Sequence, residues 1–223
     1  MKKFAVIVAG GSGTRMGSLL PKQFLLLQGK PVLFYTLKAF IDAFPDIQII
    51  LVLPEEHLEL GREIVDGFFD KHQIVLTAGG ETRFHSVQKG LRHISEESVI
   101  FVHDGVRCLV TSSLIQRCYQ VAIETGSAVP VVEMKDSVRI LTEDGNEPLD
   151  RSLLRIVQTP QTFHSKILLP AFEIDYKERF TDEATVVEAF GLKVSLVDGE
   201  TTNIKITNPV DLVIASSILE KAN

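Results

Sequence analysis

Cysteine is scarce: Cys108 and Cys118 are the two in 223 residues. Their spacing matches no zinc or redox motif, which excludes a disulfide framework and points to a reducing compartment. Long apolar runs are missing too, and no stretch approaches the ~20 apolar residues of a membrane span. The start, Met1-Lys2-Lys3-Phe4 and then Ala5-Val6-Ile7-Val8, carries the charge of a secretory leader. Its apolar run gives way to Gly10-Gly11 too soon for one, and suits a buried strand. The expectation is a soluble cytoplasmic protein with no membrane partner. Positive charge is in deficit, with 23 Lys+Arg against 29 Asp+Glu and a net charge of −6. That argues against a nucleic-acid partner, because broad binding of that kind rests on a basic surface. It leaves room for a small anionic ligand, since a few cations focused in one cleft bind phosphates even on an acidic protein. Internal repeats, low-complexity stretches and linkers are absent from the chain.

What is present is an ordinary globular composition, 45% hydrophobic and 23% charged. At this length about 70% of the unfolded surface can be buried, so one domain over 1–223 is expected to hold its own core. Short β-branched runs predict strands over 4–9, 47–53, 74–77, 99–103, 128–132 and 194–197. Helical stretches alternate with them over 32–44, 55–69, 83–93, 112–125, 166–177 and 183–190. Alternation of this kind builds a three-layer α/β/α sandwich, Rossmann-like, around a mostly parallel, mixed sheet. Two helices carry clear end signals. Thr111 caps 112–125 and Gly126 stops it; Asn208 caps the last helix, Pro209 opens it and it runs over 210–222. Residues 134–156 break the rhythm. An alternating piece with Val138 and Ile140 meets Asp144-Gly145 and a second extended piece, which predicts a protruding β-hairpin arm suited to pairing with a partner subunit.

The chemistry starts after the first strand, at Ala9-Gly10-Gly11-Ser12-Gly13-Thr14-Arg15-Met16-Gly17. Glycines there free backbone N–H groups to wrap an anion. A Walker A loop needs Lys-Ser/Thr after its last glycine, and Met16-Gly17-Ser18 does not supply it. A dinucleotide fingerprint needs G-x-G-x-x-G, and Gly17 falls one residue too far after Gly13. The residues leave an anion loop holding Arg15, with Lys22 shortly beyond; a tight strand-to-helix turn is the plainer alternative. Asp104 ends the strand over 99–103 at the carboxyl edge, where open α/β sheets place ligands, and suits either ribose hydroxyls or Mg²⁺. Lys205 alternates with Ile204 and Ile206 and so faces away from the core, toward solvent or a site.

Gly11-x-Gly13-x-Arg15-Met16-Gly17 followed by Pro21-Lys22-Gln23 resembles the signature of nucleotidyltransferases that activate sugars and polyols. Later stretches narrow it: Gly79-Gly80-Glu81-Thr82-Arg83 with Ser86-Val87, and Val102-His103-Asp104-Gly105-Val106-Arg107. Gln158-Thr159-Pro160-Gln161-Thr162-Phe163, Thr181-Asp182-Glu183-Ala184 and Asn203-Ile204-Lys205-Ile206-Thr207 complete the set, each expected on a ligand-facing loop. In this order they are similar to the 2-C-methyl-D-erythritol 4-phosphate cytidylyltransferases over essentially the whole chain.

The resemblance implies transfer from CTP to a small polyol phosphate with release of diphosphate, helped by Mg²⁺ or another divalent cation, in a homodimer. It gives Arg15 and Lys22 the triphosphate, and Arg151 (otherwise a surface partner of Asp150) and Lys205 the substrate phosphate, making these four the catalytic set. It assigns CTP binding to Ala9, Gly10, Gly11, Gly13, Gly80, Arg83, Ser86, Asp104 and Gly105. Substrate contacts fall to Arg107, on the CTP-facing side, and to Ser137, Thr159, Thr181 and Asp182. The metal ligands stay open. The chain departs from the family's usual pattern at Glu81, Gly105, Val106, Cys108 and Ser137. Ribitol-5-phosphate cytidylyltransferases share the Arg15, Lys22 and Gln158–Phe163 stretches and are the nearest alternative, whereas Thr181-Asp182-Glu183-Ala184 and Asp150-Arg151 fit the first family better. A non-catalytic nucleotide-binding module is disfavoured by the retention of Arg15, Lys22, Asp104 and Lys205.

Overall fold

In the computed structural model, which describes residues 1–11 and 20–222, the first strand shows how the core is built. Strand β1 (Lys2–Val8) sends Ala5 and Ile7 to one face of the sheet and Phe4, Val6 and Val8 to the other. After a 3-10 turn (Lys22–Phe24) come β2 (Leu26–Leu27), β3 (Lys30–Pro31), α1 (Val32–Ala43), β4 (Gln48–Leu53), α2 (Leu58–Phe68) and β5 (Ile74–Ala78). Then follow α3 (Arg83–Leu91), β6 (Ser98–Asp104), α4 (Ser112–Thr125), β7 (Ser127–Glu133), β8 (Val138–Thr142) and β9 (Gly145–Leu149). The chain ends with β10 (Arg155–Val157), β11 (Gln161–His164), α5 (Ser165–Ala171), α6 (Glu183–Ala189), β12 (Leu196–Asp198) and α7 (Pro209–Ala222).

Alternation along β4 and β6 matches β1. Ile49, Leu51, Val99 and Phe101 pack with Leu37 and Phe40 of α1, Ile64 of α2 and Leu114 of α4. Ile50, Val52, Ile100 and Val102 meet Phe84 and Val87 of α3, Leu168 of α5 and Val186 of α6. A sheet buried on both faces by helices is the three-layer arrangement expected. β5, β4, β1 and β6 run parallel in that spatial order. β11 is antiparallel to β6 on one side and β7 on the other, and β12 lies parallel to β7. Thr111 caps α4 by accepting the Leu114 N–H, and Gly126 ends it at φ +91°, a conformation glycine adopts without the Cβ penalty.

Several features differ from the sequence reading. The helix over 166–177 stops at Ala171, where Phe172 leaves helical geometry and turns in to stack on Phe84 at 4.9 Å. The helix over 55–69 opens as a 3-10 turn (Glu55–His57) before α2. β11 was not expected, since Gln161, Thr162 and His164 are polar, yet all are buried. Between the Val157↔Val131 and Thr162↔Ala128 pairs, four residues of one strand oppose two of β7. That bulge, at Gln158-Thr159-Pro160, takes Thr159 out of the ladder. Within the arm β8 and β9 pair with each other and close through Thr142↔Gly145. Arg151 lies in a separate 3-10 turn (Arg151–Leu153) after β9, not on a hairpin strand.

Candidate active site

Because β1, β4, β5 and β6 are parallel, their carboxyl ends open on one edge, and a cleft of about 570 Å³ lies there. Its wall at β1 is Ala9, Gly10 and Gly11, with Lys22 beside them; Lys22 Cε lies 3.7 Å from where a Gly11 Cβ would sit. Gln23, fully buried, donates to the Ala9 carbonyl at 2.7 Å and ties the 3-10 turn to the end of β1. Arg15 and Gly13 lie outside the described residues.

A second wall is the β5–α3 turn. Ser86 Oγ accepts the Gly80 N–H at 3.1 Å and donates to the Thr82 carbonyl at 3.0 Å, while Thr82 caps α3. Any side chain at Gly80 would meet His85 Cβ at 2.4 Å, so the turn closes only with glycine there. Lys89 donates to the Gly79 carbonyl at 2.7 Å and braces the turn from behind.

Asp104 is the floor. It is 6% exposed, and three cations converge on its carboxylate: Arg83 Nε at 3.2 Å on Oδ1, Lys205 Nζ at 3.1 Å and Arg107 Nε at 3.4 Å on Oδ2. Burial alone would raise its pKa, but Arg83, Lys205 and Arg107 outweigh burial and hold the carboxyl well below the usual carboxylate range. Gly105 sits behind the cleft. Its N–H bonds the Val8 carbonyl at 2.9 Å, and a Cβ would come within 2.8 Å of Ala9 Cβ, which explains the small residue there.

The stretches expected to face a ligand partly turn inward instead. Thr159 is buried; its hydroxyl accepts the Asp104 N–H at 3.1 Å and meets His103 Nδ1 at 3.0 Å. His103 Nε2 lies 3.2 Å from the Arg107 carbonyl, so a neutral imidazole protonated at Nε2 satisfies the whole chain. Burial lowers the His103 pKa to about 3, consistent with that neutral form. Asn203 donates to the Thr159 carbonyl at 2.8 Å, and Arg107 Nη1 donates to the Asn203 carbonyl at 2.9 Å. Asp182 caps α6 through the Thr185 N–H at 2.9 Å and also accepts from Gln161 at 2.9 Å. Thr181, Ser137 and Arg151 are exposed and do not line the cleft; Arg151 Nη1 donates to the Lys135 carbonyl.

Sequence reasoning gave no role to Glu183, which is 1% exposed and grips Arg83 through both oxygens: Oε1 with Nη1, and Oε2 with Nη2 at 3.1 Å. Its signal was an acid in the first turn of a capped helix, which reads as a surface feature. Three cations (Arg83, Arg107, Lys205) against two carboxylates (Asp104, Glu183) leave the floor with one net positive charge, suited to an anionic ligand. Among the described residues no three His, Cys, Asp or Glu side chains form a metal cage. Asp104 is the buried carboxylate of the cleft, so the donor set fits a magnesium ion carried mainly by ligand phosphates and one carboxylate.

A glycine-rich strand end and a cation-ringed acid at the carboxyl edge of a parallel sheet are features of the nucleotide-handling class of α/β proteins. The family model described as IspD, 2-C-methyl-D-erythritol 4-phosphate cytidylyltransferase, matches residues 4–221, and the chain belongs to that family. A protein of that name from Bacteroides fragilis is 48% identical, over 98% of this chain and 100% of its own length. One from Lachnospira eligens is 38% identical, over 97% of this chain and 98% of its own. The crystal structure of the 4-diphosphocytidyl-2C-methyl-D-erythritol synthase from Anaerococcus prevotii superposes with a TM-score of 0.84 at 28% identity, over 98% of each chain.

Proposed function

We propose that this chain transfers the cytidylyl group of CTP to 2-C-methyl-D-erythritol 4-phosphate. A phosphate oxygen of the polyol attacks the α-phosphorus of CTP in line. The bond from that phosphorus to the bridging oxygen breaks, and diphosphate leaves with the electron pair. No protein nucleophile takes part, so positioning and charge do the work. The observation that carries this reading is the convergence of Arg83, Arg107 and Lys205 on Asp104 in a cleft also lined by Lys22.

In this reading Gly10 and Gly11 offer N–H groups to the triphosphate, while Arg15 and Lys22 stabilise charge on the α-phosphate and the departing diphosphate. The turn of Gly80, Arg83 and Ser86 reads the cytosine. Asp104 would hold Mg²⁺, which supplies Lewis-acid polarisation of the phosphates when bound. Lys205 orients the substrate phosphate once it leaves Asp104, and Thr181 and Asp182 border the polyol. Arg107 and Thr159 serve by holding Asp104, with Ser137 and Arg151 reaching a neighbouring copy's site in a homodimer. No helix of the described residues is long and apolar enough to cross a membrane, and both cysteines are buried free thiols, which supports a cytoplasmic setting. The family match favours methylerythritol phosphate over ribitol phosphate.

The test is diphosphate release from CTP and from UTP, with each polyol phosphate in turn. CTP with methylerythritol phosphate should lead UTP by at least 100-fold in kcat/KM, because a base edge read by hydrogen bonds leaves groups unpaired with the wrong base. Equal rates with both nucleotides would remove the β5–α3 turn from base reading. A preference for ribitol phosphate would overturn the substrate.

A further inference from the structure

We infer that Glu183 is a positioning residue for the nucleotide half of the site: by occupying the fork of Arg83 it keeps that guanidinium from closing on Asp104. This deepens the reading above and rests on it. Arg83 presents both Nη atoms to Glu183 and only Nε to Asp104, at 3.2 Å. A guanidinium prefers a two-point grip on a carboxylate. With Glu183 neutralised, the anion left beside Arg83 is Asp104, whose Oδ2 is already held by Lys205 and Arg107. Arg83 would then swing to grip Asp104 at two points and close the carboxylate to an incoming ligand.

The frame around Glu183 is built to hold it still. It is the first residue of α6, directly after the capping residue Asp182. Gln161 of β11, fully buried, donates to Asp182 Oδ2 at 2.9 Å and accepts the Ala184 N–H at 2.7 Å, so both neighbours of Glu183 are pinned to the sheet. An acid that served only the helix dipole would sit in solvent at no cost, whereas removing a carboxylate from water costs several kcal/mol. The Arg83–Glu183 pair joins residues 100 positions apart and so ties the helix beside the proposed polyol face to the nucleotide turn. The competing account is a plain structural ion pair.

The experiment compares wild-type protein with Glu183→Gln by calorimetric titration of CTP in the presence of Mg²⁺, and by steady-state kinetics with each substrate varied. The Kd and KM for CTP should rise about tenfold or more, with the KM for methylerythritol phosphate within twofold, the scale seen when an outer partner of a binding group is lost. A folded Glu183→Gln protein whose CTP affinity is within twofold of wild type overturns the inference. Removing one partner of a buried pair endangers folding, so the Arg83→Met/Glu183→Met double variant replaces the pair with apolar volume. It should bind CTP as weakly as Arg83→Met alone; a further loss, or wild-type affinity, overturns the inference. Calorimetry needs no turnover. Wild-type protein that binds CTP yet releases no diphosphate would therefore fail the proposed reaction while leaving the role of Glu183 decidable.

Discussion

Arginines occupy both the cleft floor and the arm after β7, and their partners differ. Arg83 and Arg107 are held by carboxylates, and both belong to one connected ion network. Arg139 and Arg151 are exposed; Arg139 leans on Asn146, and Arg151 donates to the Lys135 carbonyl. Carbonyls and amides leave a guanidinium its full charge, whereas paired carboxylates consume it. The floor therefore fixes geometry within the chain, whereas the guanidiniums of the arm keep their charge at the surface. Apolar residues divide the same way. Phe101 and Ile100 are fully buried beneath the floor, while Leu141 and Leu153 on the arm are 84% and 80% exposed.

The largest effect should come from breaking the floor. Asp104→Asn removes the common partner of Arg83, Arg107 and Lys205 and leaves three cations facing one carboxylate. Loss of one side of a buried network costs about 3 kcal/mol or more, to be read from urea unfolding at pH 7. CTP affinity should be lost with it. A variant as stable as wild type would mean that solvent already screens the three cations and that the floor is less fixed than its distances suggest.

The contrast also separates what the sequence makes legible from what it hides. The Thr111 and Gly126 signals are local, so residue type and spacing suffice to read them; the turn expected at Asp144-Gly145 falls one residue earlier, at Glu143-Asp144. Alternation in β1, β4 and β6 is local as well, and it exposes the three layers. The floor is a different matter. Glu183 reaches Arg83 across 100 residues, and Thr159 reaches Asp104 across 55. Gln158, Thr159, Gln161 and Asn203 look like ligand-facing polar residues, yet each is buried and bonded to the chain's own backbone or side chains. Polar strands such as β11 carry no hydrophobic period, so their burial shows only once the hydrogen-bond partners are in place.

Arg151→Ala sharpens the arm side of the comparison. The KM for the polyol phosphate should rise about 30-fold, the equivalent of about 2 kcal/mol for a charged hydrogen bond, with the KM for CTP unchanged. The decisive version mixes Lys22→Ala protein with Arg151→Ala protein. If each site takes Arg151 from the neighbouring copy, heterodimers contain one site with both residues intact and activity partly returns. Demonstrated subunit exchange with no recovery would place Arg151 within its own chain's function, or in none.

The smallest effect on the fold should come from Leu141→Ser at the tip of the arm. Leu141 pairs with Asn146 in a ladder that involves only β8 and β9, and most of its surface faces solvent. Changing such a residue alters single-chain stability by no more than about 0.5 kcal/mol. Burying a leucine against a partner is worth about 1.5–3 kcal/mol, so a homodimer that uses this arm would register the loss in association instead. Denaturant unfolding at several protein concentrations separates the two, because association makes stability depend on concentration. The single-chain stability should hold while sedimentation shows a weaker dimer. If single-chain stability falls by more than 1 kcal/mol, the arm belongs to the fold's own core, and the division of labour between floor and arm does not stand.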